Sequence, residues 1–288
     1  MSLNVEMKGE KMDVRYSPDR EGFQYMTTDE LRENFLINDL FQKNKVPMTY
    51  SDIDRSITGS AVPSGKTLKL SASKKEMAAK YFTERREVGV INIGGKGTIK
   101  VGSKEYKMDH KDALYIGRGN HNVEFKSANS KNPSMFYFVS YPAHAEYPTK
   151  QIKFAKSTPV KLGSDKECNK RTIYKYIHPG TMPTCQLVMG LTELEEGSVW
   201  NTMPAHTHQR RSEVYMYFDI DKESLVVHLF GEPTETRHIM IRDKQAVLSP
   251  SWSMHAGCGT KNYTFIWAMG GENQVFDDMD AIPMAQLK

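Results

Sequence analysis

From about residue 80 to the C-terminus, short apolar runs alternate with polar turns. "REVGVINIGG" is rich in β-branched residues and closes on a glycine pair, which reads as a strand and a turn. "GTIKVGSKEYKM" reads as a hairpin with Gly102 and Ser103 in the turn. "DALYIGRGNHNVEF" and "SMFYFVSYPA" continue the same texture. Beyond residue 180 it repeats in "CQLVMGLTELEEGSVW", "SEVYMYFDI", "SLVVHLFG", "RHIMIRDKQAVLS" and "NYTFIWAMGG". Many short strands with Gly and Pro turns predict an all-β sandwich or barrel of the jelly-roll type. Ahead of residue 80 the pattern differs. "TTDELRENFLIND" predicts a short helix capped by Thr28, with Leu31, Phe35 and Leu36 at helical spacing. "SKKEMAAKYF" predicts a second, capped by Ser73. Between them, "VPMTYSDIDRSITGSAVPSG" reads as a turn-rich connector.

An internal echo divides the chain in two. "ERREVGVINIGG" matches "QRRSEVYMYFDI" in order and character, setting Glu87 opposite Glu213. "DALYIGRGNH" echoes "QAVLSPSWSMH", setting His121 near His255. Residues 1–150 are therefore expected to hold a helical extension and a first unit, and 151–288 a second. Nothing ahead of Arg85 corresponds to His206 and His208, so Glu87 and His121 are read as structural.

The 288 residues suffice for one large or two ordinary domains. Thirty-nine basic and 35 acidic residues leave a net charge of +4, too little to argue for nucleic acid. No apolar run is long enough to span a membrane. The start, "MSLNVEMKGEKMDVRY", lacks the apolar core of a secretory signal. Cys168, Cys185 and Cys258 are odd in number and form no CxxC pair. Free thiols in a reducing cytoplasm are the expectation.

The candidate chemistry lies in "PAHTHQRRSEVYMYFDI". Residues two apart on a strand share a face, so His206 and His208 can converge on one ion. Glu213, five residues after His208, has the wrong parity for that face unless the chain bends through "QRRS". After such a bend Glu213, Tyr215 and Tyr217 share one face, and Val214, Met216 and Phe218 the other. His255, after the turn "SPSWSM", offers a fourth ligand. His110, His144, His178, His228 and His238 have no comparable partners and are read as ordinary histidines.

"HTHQRRSE" resembles the first cupin motif, HxHxxxxE, and "PSWSMH" the second, PxGxxH, with Trp252 in the glycine's place. "RYSPDREGFQYMTTDELRENFLINDLF", "TYSDIDRSITGSAVP" and the stretch from Cys185 to Ile220 resemble the 5-keto-4-deoxyuronate isomerase family, over nearly the whole chain. The resemblance implies a bicupin of two tandem jelly-roll halves. It implies one zinc ion per subunit on His206, His208, Glu213 and His255; iron, manganese or nickel would suit the same N/O set. It also implies a hexamer and a cytoplasmic ketol-isomerase of pectin and polyuronide degradation. Such an enzyme moves a carbonyl from C1 to C2 of a small deoxyketouronate through a metal-stabilised enediolate. Glu213, Tyr215 and Tyr217 are candidates for the proton transfers. Arg210, Arg171 and Arg211 are candidate clamps for the substrate carboxylate, and Trp252 a candidate pocket wall. A cupin dioxygenase and a non-catalytic sugar-binding bicupin are the alternatives.

Overall fold

The strand segments pair into four sheets that form two sandwiches. A computed structural model describes residues 12–275 and 277–288. The reading of the first residues as free of a secretory core lies outside the described residues. In the first sandwich a seven-stranded sheet has Arg86–Asn92 at its heart, between Phe136–Pro142 and Ala113–Ile116. It faces a four-stranded sheet ordered Leu68–Lys69, Val123–Ser127, Gly97–Val101, Lys104–Met108. In the second, Arg211–Phe218 lies between Thr264–Gly271 and Gln245–Ser249. The five-stranded sheet facing it runs Glu235–Ile241, Val226–Glu232, Met254–Gly259, Trp200–Thr207, Asp280–Ala281. The two halves thus repeat one plan.

Each sandwich has its own core. Phe82, Val90, Phe125 and Phe138 fill the first, and Tyr217, Phe230, Val247 and Phe265 the second. A third core lies between the two large sheets, where Tyr137, Val139 and Tyr141 meet Met189, Met216 and Ile266. Both faces of the central strands are therefore covered. Every residue of Arg86–Asn92 and of Arg211–Phe218 is buried.

The helices are shorter than the pattern suggests. The first predicted helix spans Thr28–Phe35, with Thr27 rather than Thr28 as its cap. Glu30 decides this, because it lies three residues after Thr27 and closes a capping box with it. Ser73 caps as expected, but its helix is only Lys74–Met77 and ends at left-handed Ala78. The hairpin through Gly102 forms as predicted, and Gly102 adopts φ +60°, which its turn requires.

Residues 20–37 do not stay with the first sandwich. Phe23 and Phe35 pack edge-on against Phe230 in the second core, and Leu36–Ile37 pairs with Gln245–Ser249 as its sheet's edge strand. Apolar shelter for two phenylalanines, rather than proximity in sequence, decides where this segment goes.

Register also corrects the echo. Val88 pairs with Ile116 as Glu213 pairs with Ser249, each at the end of its strand pair. Val88, not Glu87, therefore holds the place of Glu213. Glu87 points to the other face of its sheet. There its buried carboxylate accepts the backbone N–H groups of Cys185, Gln186 and Leu187 at 2.7–2.8 Å and the Tyr115 hydroxyl at 2.8 Å. It fastens one half to the other, a structural role. His121 is exposed and lies against the Tyr81 ring. Leu68–Lys69 takes the histidine strand's place in the first sandwich, and Leu68, Leu70, Val88 and Val123 fill that space with apolar side chains.

Candidate metal centre

The bend predicted between His208 and Glu213 is a crossing between facing sheets. Trp200–Thr207 belongs to the five-stranded sheet and Arg211–Phe218 to the seven-stranded one. The turn is closed by Arg211 N–H donating to the His208 carbonyl at 3.0 Å. Glu213 therefore approaches the histidines from the opposite wall, which resolves its parity. His255 reaches them sideways, because it is the register partner of His206 on the neighbouring strand. A bulge between Asn201 and His206 precedes this pair, with Thr202 at φ +59°. Such an irregularity re-aims the side chains that follow it.

The four groups converge. Nε2 of His206 and of His208 lie 3.0 Å apart. Oε2 of Glu213 lies 3.2 Å from His208 Nε2 and 3.0 Å from His255 Nε2. All four ligand atoms lie within 4.8 Å of one another. Two ring nitrogens at 3.0 Å cannot both carry protons, so at least one presents a lone pair. His208 Nδ1 lies 2.9 Å from the Asp278 carbonyl, which holds the ring with Nε2 toward the centre. Burial, then the neighbouring His255 and His208, hold the His206 pKa down to about 3, so its imidazole is neutral. Burial opposes the charge on Glu213, yet His255 and His208 hold it ionised, well below the usual carboxylate range. Three imidazoles converging on a carboxylate are a donor set for a divalent metal ion, and the residues present fit one.

A cavity of about 310 Å³ opens over the set, bordered by His206, His208, Glu213 and Tyr215. Ile173, Phe265, Trp267 and Met269 give it apolar walls, while Thr192, Asn201 and Arg171 bring polar groups. Arg171 donates Nη1 to the Asn169 carbonyl at 2.8 Å, and its buried Nε has no protein acceptor. Tyr215 is buried, and burial followed by the Glu213 charge pushes its pKa well up, so it stays a phenol. Tyr217 is placed deeper, with its hydroxyl hydrogen-bonded to His228 Nδ1 at 2.7 Å, and does not border the cavity.

Two candidates face elsewhere. Arg210 pairs with Asp278 at 2.5 Å and with Asp280 at 3.0 Å, outside the cavity lining. Its fork is engaged, and it anchors the segment whose carbonyl orients His208. Trp252 stacks edge-on against Phe23, 5.1 Å between centroids, away from the cavity. Arg211 is buried and donates Nη2 to the same Asp278 carbonyl at 3.0 Å and Nη1 to the Val275 carbonyl at 2.8 Å. Sequence reasoning did not find Asp278, Thr192 or Asn201. The acidic "DDMD" against the basic "QRR" was the available signal for Asp278.

Fold and site together define a bicupin-like protein: two β-sandwiches, the second with a three-histidine, one-glutamate set inside it. A family model described as the KduI/IolB family matches residues 36–284, and the chain belongs to that family. A protein of Lachnoclostridium phytofermentans named 4-deoxy-L-threo-5-hexosulose-uronate ketol-isomerase is 55% identical over 277 residues, 96% of this chain and all of that one. The protein of that name from Caldicellulosiruptor bescii is 51% identical over the same shares. Among solved structures, an IolB-like protein from Salmonella typhimurium superposes with a TM-score of 0.68 at 11% identity, covering 86% of this chain and 97% of that one. An oxalate decarboxylase variant from Bacillus subtilis gives 0.59 at 8%, covering 86% and 79%. These two likenesses speak for the fold alone. No helix among the described residues is long and apolar enough to cross a membrane.

Proposed function

We propose that this chain is a ketol-isomerase that converts 4-deoxy-L-threo-5-hexosulose uronate (5-keto-4-deoxyuronate) to 3-deoxy-D-glycero-2,5-hexodiulosonate in the breakdown of pectin and related polyuronides. The observation that carries the reading is the ligand set His206, His208, Glu213 and His255, complete and at the floor of a cavity, in a chain more than half identical to relatives of that name. We take residues 151–288, with 20–37 docked on them, as the catalytic unit and the rest of 1–150 as its support. One zinc ion per subunit, a hexameric assembly and a cytoplasmic setting belong to the same proposal. Iron, manganese and nickel suit the donor set as well.

In this isomerisation one base takes the proton from C2 and returns it to C1, while the proton of the C2 hydroxyl ends on the C1 oxygen, so the carbonyl moves from C1 to C2 with no net gain or loss of protons. A divalent ion bound there supplies Lewis acidity, drawing negative charge onto the substrate oxygens. Arg171, which borders the same cavity, holds the substrate carboxylate through a bidentate pair. Tyr215, held as a phenol, gives its proton to the C1 oxygen and takes one back from the C2 hydroxyl, ending as the phenol it began as. Glu213 is anchored by two histidines and held ionised, which makes it a ligand first and a weak base. Tyr217 supports Tyr215 from behind, their rings stacked 6.1 Å apart.

The test is a coupled assay on freshly made 5-keto-4-deoxyuronate. Turnover is expected, abolished by a chelator and restored by Zn²⁺. Absence of turnover by the metal-loaded protein, or substrate-dependent oxygen uptake as in a dioxygenase, would overturn the reading.

A further inference from the structure

The half without ligands reaches the residues beside the ligand set through Asp54. Asp54, in the turn Ile53–Arg55 of the first sandwich, sends its carboxylate across the boundary, and Oδ2 accepts the backbone N–H of Ser212 at 2.9 Å. Ser212 stands between two residues of the site. Arg211 donates to the Asp278 carbonyl that orients His208. Glu213 bridges His208 and His255.

The turn carrying Asp54 is strained. Asp54 has φ +47° and Arg55 φ +51°, two successive non-glycine residues in the left-handed region. That conformation is disfavoured for L-residues, somewhat less so for aspartate. Strain of this kind persists where the surroundings over-determine it. Here buried Arg86 donates to the Arg55 carbonyl at 2.5 Å and to the Ser140 carbonyl at 2.9 Å. Asp52 accepts the Ser17 N–H at 2.8 Å, and Ser51 N–H donates to the Ser56 carbonyl at 2.9 Å. The strand pair is gripped a second time beside Ser212. Its register partner is Gly270, and the Tyr141 ring of the first half lies so close that a Cβ on Gly270 would fall 2.4 Å from it. Only glycine admits that ring.

We propose that Asp54 is a positioning residue for the metal centre: by holding the Ser212 N–H it fixes the placement of Arg211 and Glu213, and so sets the affinity for the ion from the half that has no ligands. The proposal rests on reading His206, His208, Glu213 and His255 as a metal centre. Partners that hold ligands in place typically change metal affinity about 10–100-fold when removed.

Asp54→Gly removes the carboxylate while suiting the left-handed φ, so the turn keeps its shape. Asp54→Asn keeps an acceptor oxygen at the same reach. Lys111→Ala breaks the Lys111–Glu193 ion pair, another contact between the halves with no ligand on its strands, and serves as control. Zn²⁺ affinity of each full-length protein is measured by competition with a chromophoric chelator, together with the unfolding temperature of chelator-stripped protein. Asp54→Gly is expected to weaken Zn²⁺ binding at least about tenfold, and Asp54→Asn by no more than about threefold. Lys111→Ala is expected to leave the affinity alone even where it lowers the unfolding temperature. Affinity of Asp54→Gly within about twofold of the unsubstituted protein overturns the proposal. So does an equal loss in Lys111→Ala, which would mean general loosening, or in Asp54→Asn, which would assign the effect to charge. If Asp54→Gly does not fold, Asp54→Ser, too short to reach Ser212, takes its place under the same criteria. Absence of Zn²⁺ binding by the unsubstituted protein would instead sink the metal reading itself.

Discussion

His206 and His255 are register partners on adjacent strands, so either truncation opens the same wall of the centre. His206→Ala and His255→Ala are each expected to lose stoichiometric metal and isomerase activity while the circular-dichroism spectrum is kept. Full activity in either variant would remove that residue from the site. Arg171 is the guanidinium that borders the cavity, and its role should appear in binding. Arg171→Gln is expected to raise KM about 10–100-fold with a smaller change in kcat, since it removes a charged partner worth roughly 1.5–3 kcal/mol. Arg171→Lys keeps the charge without the fork and should fall between. An unchanged KM in Arg171→Gln would place the carboxylate elsewhere. At this scale the four ligand candidates were legible, because metal chemistry restricts residue type and strand geometry restricts spacing. The pairing of Arg210 was not legible from its own neighbourhood. Its partners Asp278 and Asp280 lie about seventy residues downstream, and no local pattern announces a pairing at that separation.

The strand is the unit at which sequence reasoning both succeeded and slipped. Alternation located the strands, and the parity of Glu213 demanded a bend that proved to be a crossing between sheets. The same parity rule places Glu87 on the face opposite to the one Glu213 occupies, although the two glutamates look alike in sequence. A one-residue slip in aligning two strands exchanges the faces. Glu87 then provides a prediction of its own. Its carboxylate accepts four hydrogen bonds in a buried place, three of them from the segment Cys185–Leu187. Glu87→Gln turns one acceptor oxygen into a donor that faces N–H groups. A loss of about 2–4 kcal/mol in denaturant unfolding is expected, with Zn²⁺ affinity unchanged. A loss under about 0.5 kcal/mol would show that the amide finds other partners.

At the scale of the molecule, the duplicated plan was visible as an echo, but the interlacing of its halves was not. Periodicity reports which face of an element is apolar, and several surfaces can satisfy the same face. The helix Thr28–Phe35 illustrates this, since its apolar residues were read correctly while their host was the distant second sandwich. Assembly beyond the single chain follows from the proposed function, and light scattering is expected to give about six times the 32.9 kDa chain mass. A mass matching one chain would refute the hexamer.

The docking of residues 20–37 on the second sandwich has a consequence for biosynthesis. This segment leaves the ribosome long before the strands that receive it, Val226–Glu232 and Gln245–Ser249. The first sandwich can close while translation continues, at about 5–20 residues per second. Phe23, Phe35 and the edge strand Leu36–Ile37 must wait exposed through most of the chain's synthesis. Their shelter therefore waits for residues 226–249, and until then the nascent chain carries Phe23 and Phe35 without their partner Phe230.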